Sequence, residues 1–310
     1  MLARMPTFTL REVRAVCKER DAWWTVLLVD PVAVRLTRSL ASRTAVTPGQ
    51  ITLAAFALGL GAAGCFVQGT PGWLALGALL YHVGFVLDCC DGKLARLKGL
   101  KSPFGAWLDY MLDRVRDGAC ALALAYGLYT VTGQAVYWAM GCAILALDMF
   151  RYLNSAQLAK ARRSIRRAAV LNQRALTAMP PGPDAPHVPS GAGVPRQRPE
   201  PDLESTRPMP PGPSPRRRRR GGGRLRGAYT RVRSFLLRRR IRMHLVSGIE
   251  FQMAAFIVGP LTGLALQAVA VAGGLLLLFE VALIVKFWRR ARRSASAPLA
   301  ACAPAPAPAV

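Results

Sequence analysis

The chain has 310 residues, of which 52% are hydrophobic, yet it carries a formal net charge of +26 from 42 Lys and Arg against 16 Asp and Glu. A soluble globule would interleave those charges with its apolar residues, but residues 44–87, 118–147 and 251–279 contain none. Uncharged apolar stretches of about 18 residues or more read as membrane spans, which excludes a soluble domain and also a wholly disordered basic protein. Seven cysteines without metal-ligand spacing and only three histidines (His82, His187 and His244) offer neither a disulfide framework nor a zinc site.

Taken in order, residues 1–46 form a cytoplasmic or interfacial segment in which 8–43 read as one surface helix. Trp23 and Trp24 suit the headgroup level, and Arg35, Arg38 and Arg43 are spaced for anionic lipid. This start is no signal peptide, because its first apolar run follows several basic residues and contains Asp30. Region 47–160 holds four predicted membrane helices at 51–68, 73–94, 104–131 and 135–158, separated by Gly69, Pro71, Gly72 and Gly133.

Region 161–242 is a basic insert with 21 Arg and Lys, half of the total. Its Pro-rich middle, 179–215, cannot bury a core and reads as disordered. Between 224 and 242, Leu225, Tyr229, Val232 and Leu236 recur at helical spacing, which predicts a basic amphipathic helix on the membrane surface. Anionic lipid is the partner that such segments fit. A nucleic-acid arm is the competing reading, but neither aromatic interleaving nor a folded reader module supports it. Region 243–290 holds two further helices, 245–258 and 263–287, and 291–310 is an Ala/Pro-rich disordered tail.

The fold class is therefore an all-α integral membrane protein with six transmembrane helices, an N-terminal interfacial helix and a disordered basic cytoplasmic insert. The turns at 68–72, 130–134 and 259–262 contain no Lys or Arg, and every basic cluster falls on the opposite side. The positive-inside rule makes that side cytoplasmic and puts both termini there, in the cell membrane.

With so few acids, their clustering is informative. Asp88 and Asp91 lie three apart at the end of the second span, and Asp109, Asp113 and Asp117 lie four apart on the third. Those spacings put side chains on one helical face, and a short loop lets the two faces meet. Carboxylates gathered at a membrane need neutralising. An all-oxygen set suits hard divalent cations, Mg²⁺ or Mn²⁺, and two such ions could clamp a pyrophosphate. Gly92 and Ala95, small and on the same face, let a nucleotide approach, and Arg96 can offset phosphate charge. The competing structural reading is a salt-bridge network with Arg96, Arg114 and Arg116.

The run Asp88-x2-Asp91-Gly92-x2-Ala95-Arg96-x8-Gly105-x3-Asp109-x3-Asp113 resembles the signature of the CDP-alcohol phosphotransferase (CDP-alcohol phosphatidyltransferase) family at all eight of its fixed positions. Upstream, the stretch from Thr47 to Thr52 is similar to the family's T-P-N-Q-I-T segment, with Gly49 replacing Asn. The resemblance covers residues 20–160 and, more weakly, 243–290. It implies a six-helix membrane enzyme of phospholipid synthesis that moves a phospho-alcohol group from a CDP-alcohol, such as CDP-diacylglycerol, to an acceptor hydroxyl and releases CMP. It further implies that Asp88, Asp91, Asp109 and Asp113 hold two divalent cations and that Asp113 acts as general base. Gly92, Ala95, Arg96 and Gly105 would line the CDP-alcohol site, and a homodimer is implied as well.

Outside the signature, Asp117, Arg151 and Glu250 are candidates for the acceptor site, as intramembrane charges generally mark function. Asp148 either pairs with a neighbour or touches the acceptor, and Glu280 is read as reaching the interface near Lys286. Three alternatives compete: a soluble CDP-alcohol or inositol phosphate substrate, a transporter with an aspartate relay, and a scaffold whose basic loop binds lipid or nucleic acid. No internal repeat supports the transporter.

Overall fold

The computed structural model describes residues 7–178, 234, 236, 239–242 and 247–295. The predicted disorder at 179–223, most of the 224–242 helix and the tail beyond Ala295 lie outside the described residues. The elements are Leu10–Ala15 (α1), Asp30–Arg43 (α2), Pro48–Phe66 (α3), Pro71–Leu97 (α4), Pro103–Thr132 (α5), Val136–Ala178 (α6), Gly248–Thr262 (α7) and Ala265–Ala295 (α8). Thr25–Val29 before α2 and Ala254–Val258 within α7 are π-wound. Contacts divide the chain into Met1–Lys160 with Arg231–Val310, and Ala161–Thr230.

Three helices begin by one device. Pro48, Pro71 and Pro103 occupy the first turns of α3, α4 and α5, where the missing N–H costs nothing. Thr47 caps α3 in a reciprocal box with Gln50, and Ser102 caps α5 by accepting from the N–H of Gly105. At the far end of α3, Gly69 takes a positive φ of 64°. A Cβ there would fall 2.0 Å from the carbonyl oxygen of Gly127, so this turn closes against α5 only because both residues are glycine.

Helix α3 packs along α4 and α5, α2 lies on α4, and α7 packs on α4 and α8. The core joins small residues such as Ala62, Ala78 and Ala121 to the fully buried Phe66, Tyr81 and Phe256. The Phe256 ring stacks on Phe66 and tilts against Tyr81 at 4.9 Å between centroids. Outward faces expose Leu53, Leu60, Leu79, Val271 and Leu278, as lipid-facing helices do.

Among the described residues, four helices are long and apolar enough to cross a membrane: Pro48–Phe66, Pro71–Leu97, Val136–Leu171 and Ala265–Arg292. The predicted third span coincides with α5, but charges at 109–117 interrupt its apolar run, and α7 is a shorter apolar helix. The predicted fourth span ends at 158, whereas α6 continues to Ala178, into the region read as insert. Residues 159–178 are Ala- and Arg-rich with no Gly or Pro, so nothing stops the helix.

The single surface helix expected over 8–43 is instead two helices with a break between them. The N–H and C=O of Asp21 pair with the carbonyl of Arg240 and the N–H of Arg242, which removes them from any helix. Nor is this segment a mere surface layer, since Val13, Val29, Ala33 and Thr37 are fully buried. Helix α1 has its own capping box with Thr9, whose backbone and hydroxyl hydrogen bonds hold the Glu12 carboxyl below the usual carboxylate range.

Candidate active site

Helices α4 and α5 carry the signature, and their acids converge. Carboxylate oxygens of Asp88, Asp91 and Asp109 lie within 4.8 Å of one another. Asp91 is buried and accepts a hydrogen bond of 2.5 Å from the hydroxyl of Thr52, in the first turns of α3. Asp109 has one buried oxygen, Oδ1, without a hydrogen-bond partner among the described residues. Asp113 stands one turn on from Asp109, and its Oδ1 receives Arg116 Nη1 at 2.9 Å. Thr52, Asp88, Asp113 and Arg116 together line a small cavity.

Arg116 is nearly fully buried and runs between α3 and α5. A Cβ on Gly59 would lie 2.3 Å from both Cγ and Cδ of Arg116, so the glycine makes the channel for this side chain. Its Nε donates to Asp117 at 3.1 Å and its guanidinium lies 5.3 Å from the Tyr81 ring. Asp117 also accepts from the Tyr81 hydroxyl at 2.9 Å, Arg114 at 2.9 Å and Gln252 Nε2 at 2.6 Å. Arg114 pairs in turn with Asp148, which Gln252 also contacts at 3.3 Å. Arg114 is thus shared by Asp117 and Asp148, and Arg116 by Asp113 and Asp117, so two cations face six carboxylates here. Asp88, Asp91 and Asp109 form a group of carboxylates that could hold a metal ion.

Among the other sequence candidates, Gly92 lies under Arg96, whose Nη1 would be 3.5 Å from a Cβ at that position. Ala95 is half-buried one turn later. Arg96 Nε donates to the carbonyl of Val16 at 2.7 Å. Gly105 is exposed in the first turn of α5, one turn before Asp109. Asp117 is the hub of the buried network just described. Arg151, on α6, lies against the start of α7, where a Cβ on Gly248 would fall 1.9 Å from its guanidinium. Its Nη1 is buried without a hydrogen-bond partner among the described residues. Glu250 is engaged elsewhere, accepting from the N–H of Trp23 at 3.1 Å and from Ser247 N–H at 2.8 Å and its hydroxyl. Glu280 does not reach toward Lys286: it is buried and accepts from Asn154 at 2.6 Å.

Sequence reasoning missed Thr52 and Gln252 as contributors. Thr52 ends the T-P-G-Q-I-T stretch and so had a signal, whereas Gln252 on an apolar helix had none. A cavity of ≈ 320 Å³ opens between α5, α6 and α7, lined by Arg114, Asp148 and Tyr152 together with the apolar Leu145, Met149 and Phe251.

Residues 45–179 match the family model of CDP-alcohol phosphatidyltransferases. Similar proteins include a phosphatidylinositol phosphate synthase of Cutibacterium acnes, 35% identical over 42% of this chain and 58% of that protein. An archaetidylinositol phosphate synthase of Pyrococcus horikoshii is 36% identical over 30% of this chain and 47% of its own length. A bifunctional IPC transferase and DIPP synthase of Thermococcus kodakarensis is 32% identical over 39% of this chain and 26% of its own length. The chain thus spans between about a quarter and somewhat over half of these relatives. The match takes in α3, α4, α5 and α6 with every signature carboxylate, so residues 45–179 are similar to a CDP-alcohol phosphatidyltransferase domain.

Proposed function

We propose that this protein is an integral membrane enzyme that transfers a phosphatidyl group from CDP-diacylglycerol to a hydroxyl of an inositol phosphate and releases CMP. The observation that carries the reading is the convergence of Asp88, Asp91 and Asp109 beside Asp113 within the stretch that matches this family. The names of the Cutibacterium and Pyrococcus relatives support an inositol phosphate acceptor. Arg151, whose buried Nη1 has no hydrogen-bond partner among the described residues, is a cation suited to that acceptor's phosphate. The mixed apolar and charged walls of the cavity between α5, α6 and α7 suit a lipid donor.

The donor set fits divalent cations: it is all oxygen, Asp109 Oδ1 has no other hydrogen-bond partner among the described residues, and four carboxylates suit two such ions. Asp88, Asp91, Asp109 and Asp113 would hold them, as Mg²⁺ or Mn²⁺. Bound there, such ions neutralise the pyrophosphate and stabilise the leaving CMP. Arg116 orients Asp113 through Oδ1, and Asp113 takes the proton of the acceptor hydroxyl. The hydroxyl oxygen then attacks the phosphorus that bears the diacylglycerol, and the bond to CMP breaks. Gly92, Ala95 and Gly105 leave room for the nucleotide, with Arg96 at its phosphates.

Six spans complete the reading, with α5 and α7 crossing beside the four longer apolar helices. At 1.5 Å per residue the 30 residues of α5 exceed a bilayer core, so its charged half can sit at the cytoplasmic face. Trp23 and Trp24 lie at the interface, and the basic segments face cytoplasmic anionic lipid. A second copy of the chain is the partner that the family resemblance implies.

The test is CMP release from CDP-diacylglycerol by the reconstituted protein with Mg²⁺ or Mn²⁺. Inositol phosphate, glycerol phosphate and serine are supplied separately, beside an Asp113→Asn control. Metal-dependent release with inositol phosphate alone supports the assignment. Release with another acceptor replaces the acceptor, and release only from a soluble CDP-alcohol replaces the donor.

A further inference from the structure

The chain just before α7 is tied to the N-terminal segment by a set of bonds that the transfer chemistry does not require. Arg240 donates through Nε and Nη2 to the carbonyl of Lys18, at 3.1 and 2.5 Å, and its Nη1 faces Asp30 Oδ2 at 3.5 Å. Asp30 Oδ1 meets the ammonium of Lys93 at 3.0 Å. Lys93 lies inside the signature, is nearly fully buried and also donates to the Cys89 carbonyl at 3.0 Å. Two residues before Lys18, the carbonyl of Val16 receives Arg96, the last fixed residue of the signature's first half. Arginines far apart in the sequence, Arg96 and Arg240, thus grip neighbouring carbonyls, and Asp30 links the lysine of the signature to Arg240. Arg240 has φ 62°, a backbone conformation that a non-glycine residue keeps only when its surroundings hold it.

We propose that Arg240 is a positioning residue: by pinning residues 18–30 it keeps Val16 on Arg96 and Asp30 on Lys93, and so sets the two signature cations beside the carboxylate cluster. This rests on the phosphatidyl-transfer reading. The ring has one consequence for each cation. The ammonium of Lys93 is committed to Asp30 and does not compete for the carboxylates of its own helix. Arg96 is held over Gly92 at the face where the donor's pyrophosphate would lie. Loosening the ring therefore weakens donor binding and leaves the chemical step in place.

Arg240→Ala removes the guanidinium and keeps the backbone pairing of Asp21 with Ile241. Its KM for CDP-diacylglycerol is expected to rise about tenfold while kcat stays within roughly twofold, the pattern of lost donor binding. Arg240→Gly, which relieves the backbone conformation, should match Arg240→Ala, and Arg240→Lys should recover part of the KM. A second readout needs no turnover. Cys17 sits between the two gripped carbonyls, and its alkylation by a maleimide, followed by mass spectrometry, should quicken by a similar factor in Arg240→Ala. Unchanged KM and unchanged Cys17 labelling would overturn the proposal. So would a parallel fall of kcat and melting temperature in all three variants without recovery by lysine. If the wild-type protein releases no CMP from CDP-diacylglycerol, the transfer reading fails, and Cys17 labelling still decides whether Arg240 holds the segment.

Discussion

The hydroxyl of Thr52 donates to Asp91 at 2.5 Å, joining the start of α3 to the signature on α4. The Pro48 carbonyl is also near, at 3.1 Å, but a hydroxyl has one proton and the shorter contact is to the carboxylate. Asp91 is buried, so its orientation depends on this bond. Partners that orient metal ligands typically control affinity by ~10–100-fold. Thr52→Val keeps the shape and removes the donor. The Mn²⁺ concentration for half-maximal activity is expected to rise about tenfold at least, and Thr52→Ser should restore it. An unchanged metal requirement in Thr52→Val would show that Asp91 needs no such support.

Asp113 is held by an arginine, with Arg116 on its Oδ1. In the proposed chemistry it both completes the metal set and accepts the proton. Asp113→Asn removes the charge with little change of volume. CMP release should fall to background while the amount of protein in the membrane is unchanged, read by immunoblot beside the assay. Near-normal release would remove Asp113 from both roles together.

Local chemistry was legible in the sequence where one helix carries it. The prolines after Thr and Ser mark the starts of α3, α4 and α5, and the predicted spans 73–94 and 104–131 fall inside Pro71–Leu97 and Pro103–Thr132. Spacings of three and four put the signature acids on facing stripes, and three of the four meet within 4.8 Å. What escaped is what two distant segments make together. Gln252 on Asp117, Arg240 on Lys18 and Glu250 on the N–H of Trp23 join residues more than a hundred positions apart, and no periodicity records such a partner. The break between α1 and α2 has the same origin, because Asp21 gives its backbone groups to residues 240–242.

The fit of Arg116 against Gly59 makes a testable pair. A methyl group at position 59 would stand 2.3 Å from two carbons in the middle of a buried side chain, which cannot swing aside. Gly59→Ala should lower stability by about 1–3 kcal/mol, the usual result of overpacking, and should cut turnover by moving Arg116 off Asp113. In an Arg116→Ala background the obstruction is gone, so the same substitution should cost close to nothing. That non-additivity, measured by thermal unfolding in detergent, is the signature of direct contact. Additive losses would mean that α3 and α5 fail to pack for another reason.

Asp117 is the last acid on the α5 stripe and differs from its neighbours in having no capacity left. Its two oxygens receive Tyr81, Arg116, Arg114 and Gln252, from α4, α5 and α7. A carboxylate so engaged is fitted to hold helices together, and it has no oxygen to offer a substrate. Removing it leaves the buried Arg116 and the half-buried Arg114 each short of a partner, and stranding a buried charge typically costs about 3–5 kcal/mol. Asp117→Ala should therefore lose activity by unfolding at lower temperature, with kcat at low temperature still measurable. Asp117→Asn should fall between, since an amide accepts through one oxygen only. The decisive comparison is heat inactivation against turnover of the protein that survives. A variant that melts like the wild type yet does not turn over would make Asp117 part of the chemistry, and the network around it a consequence.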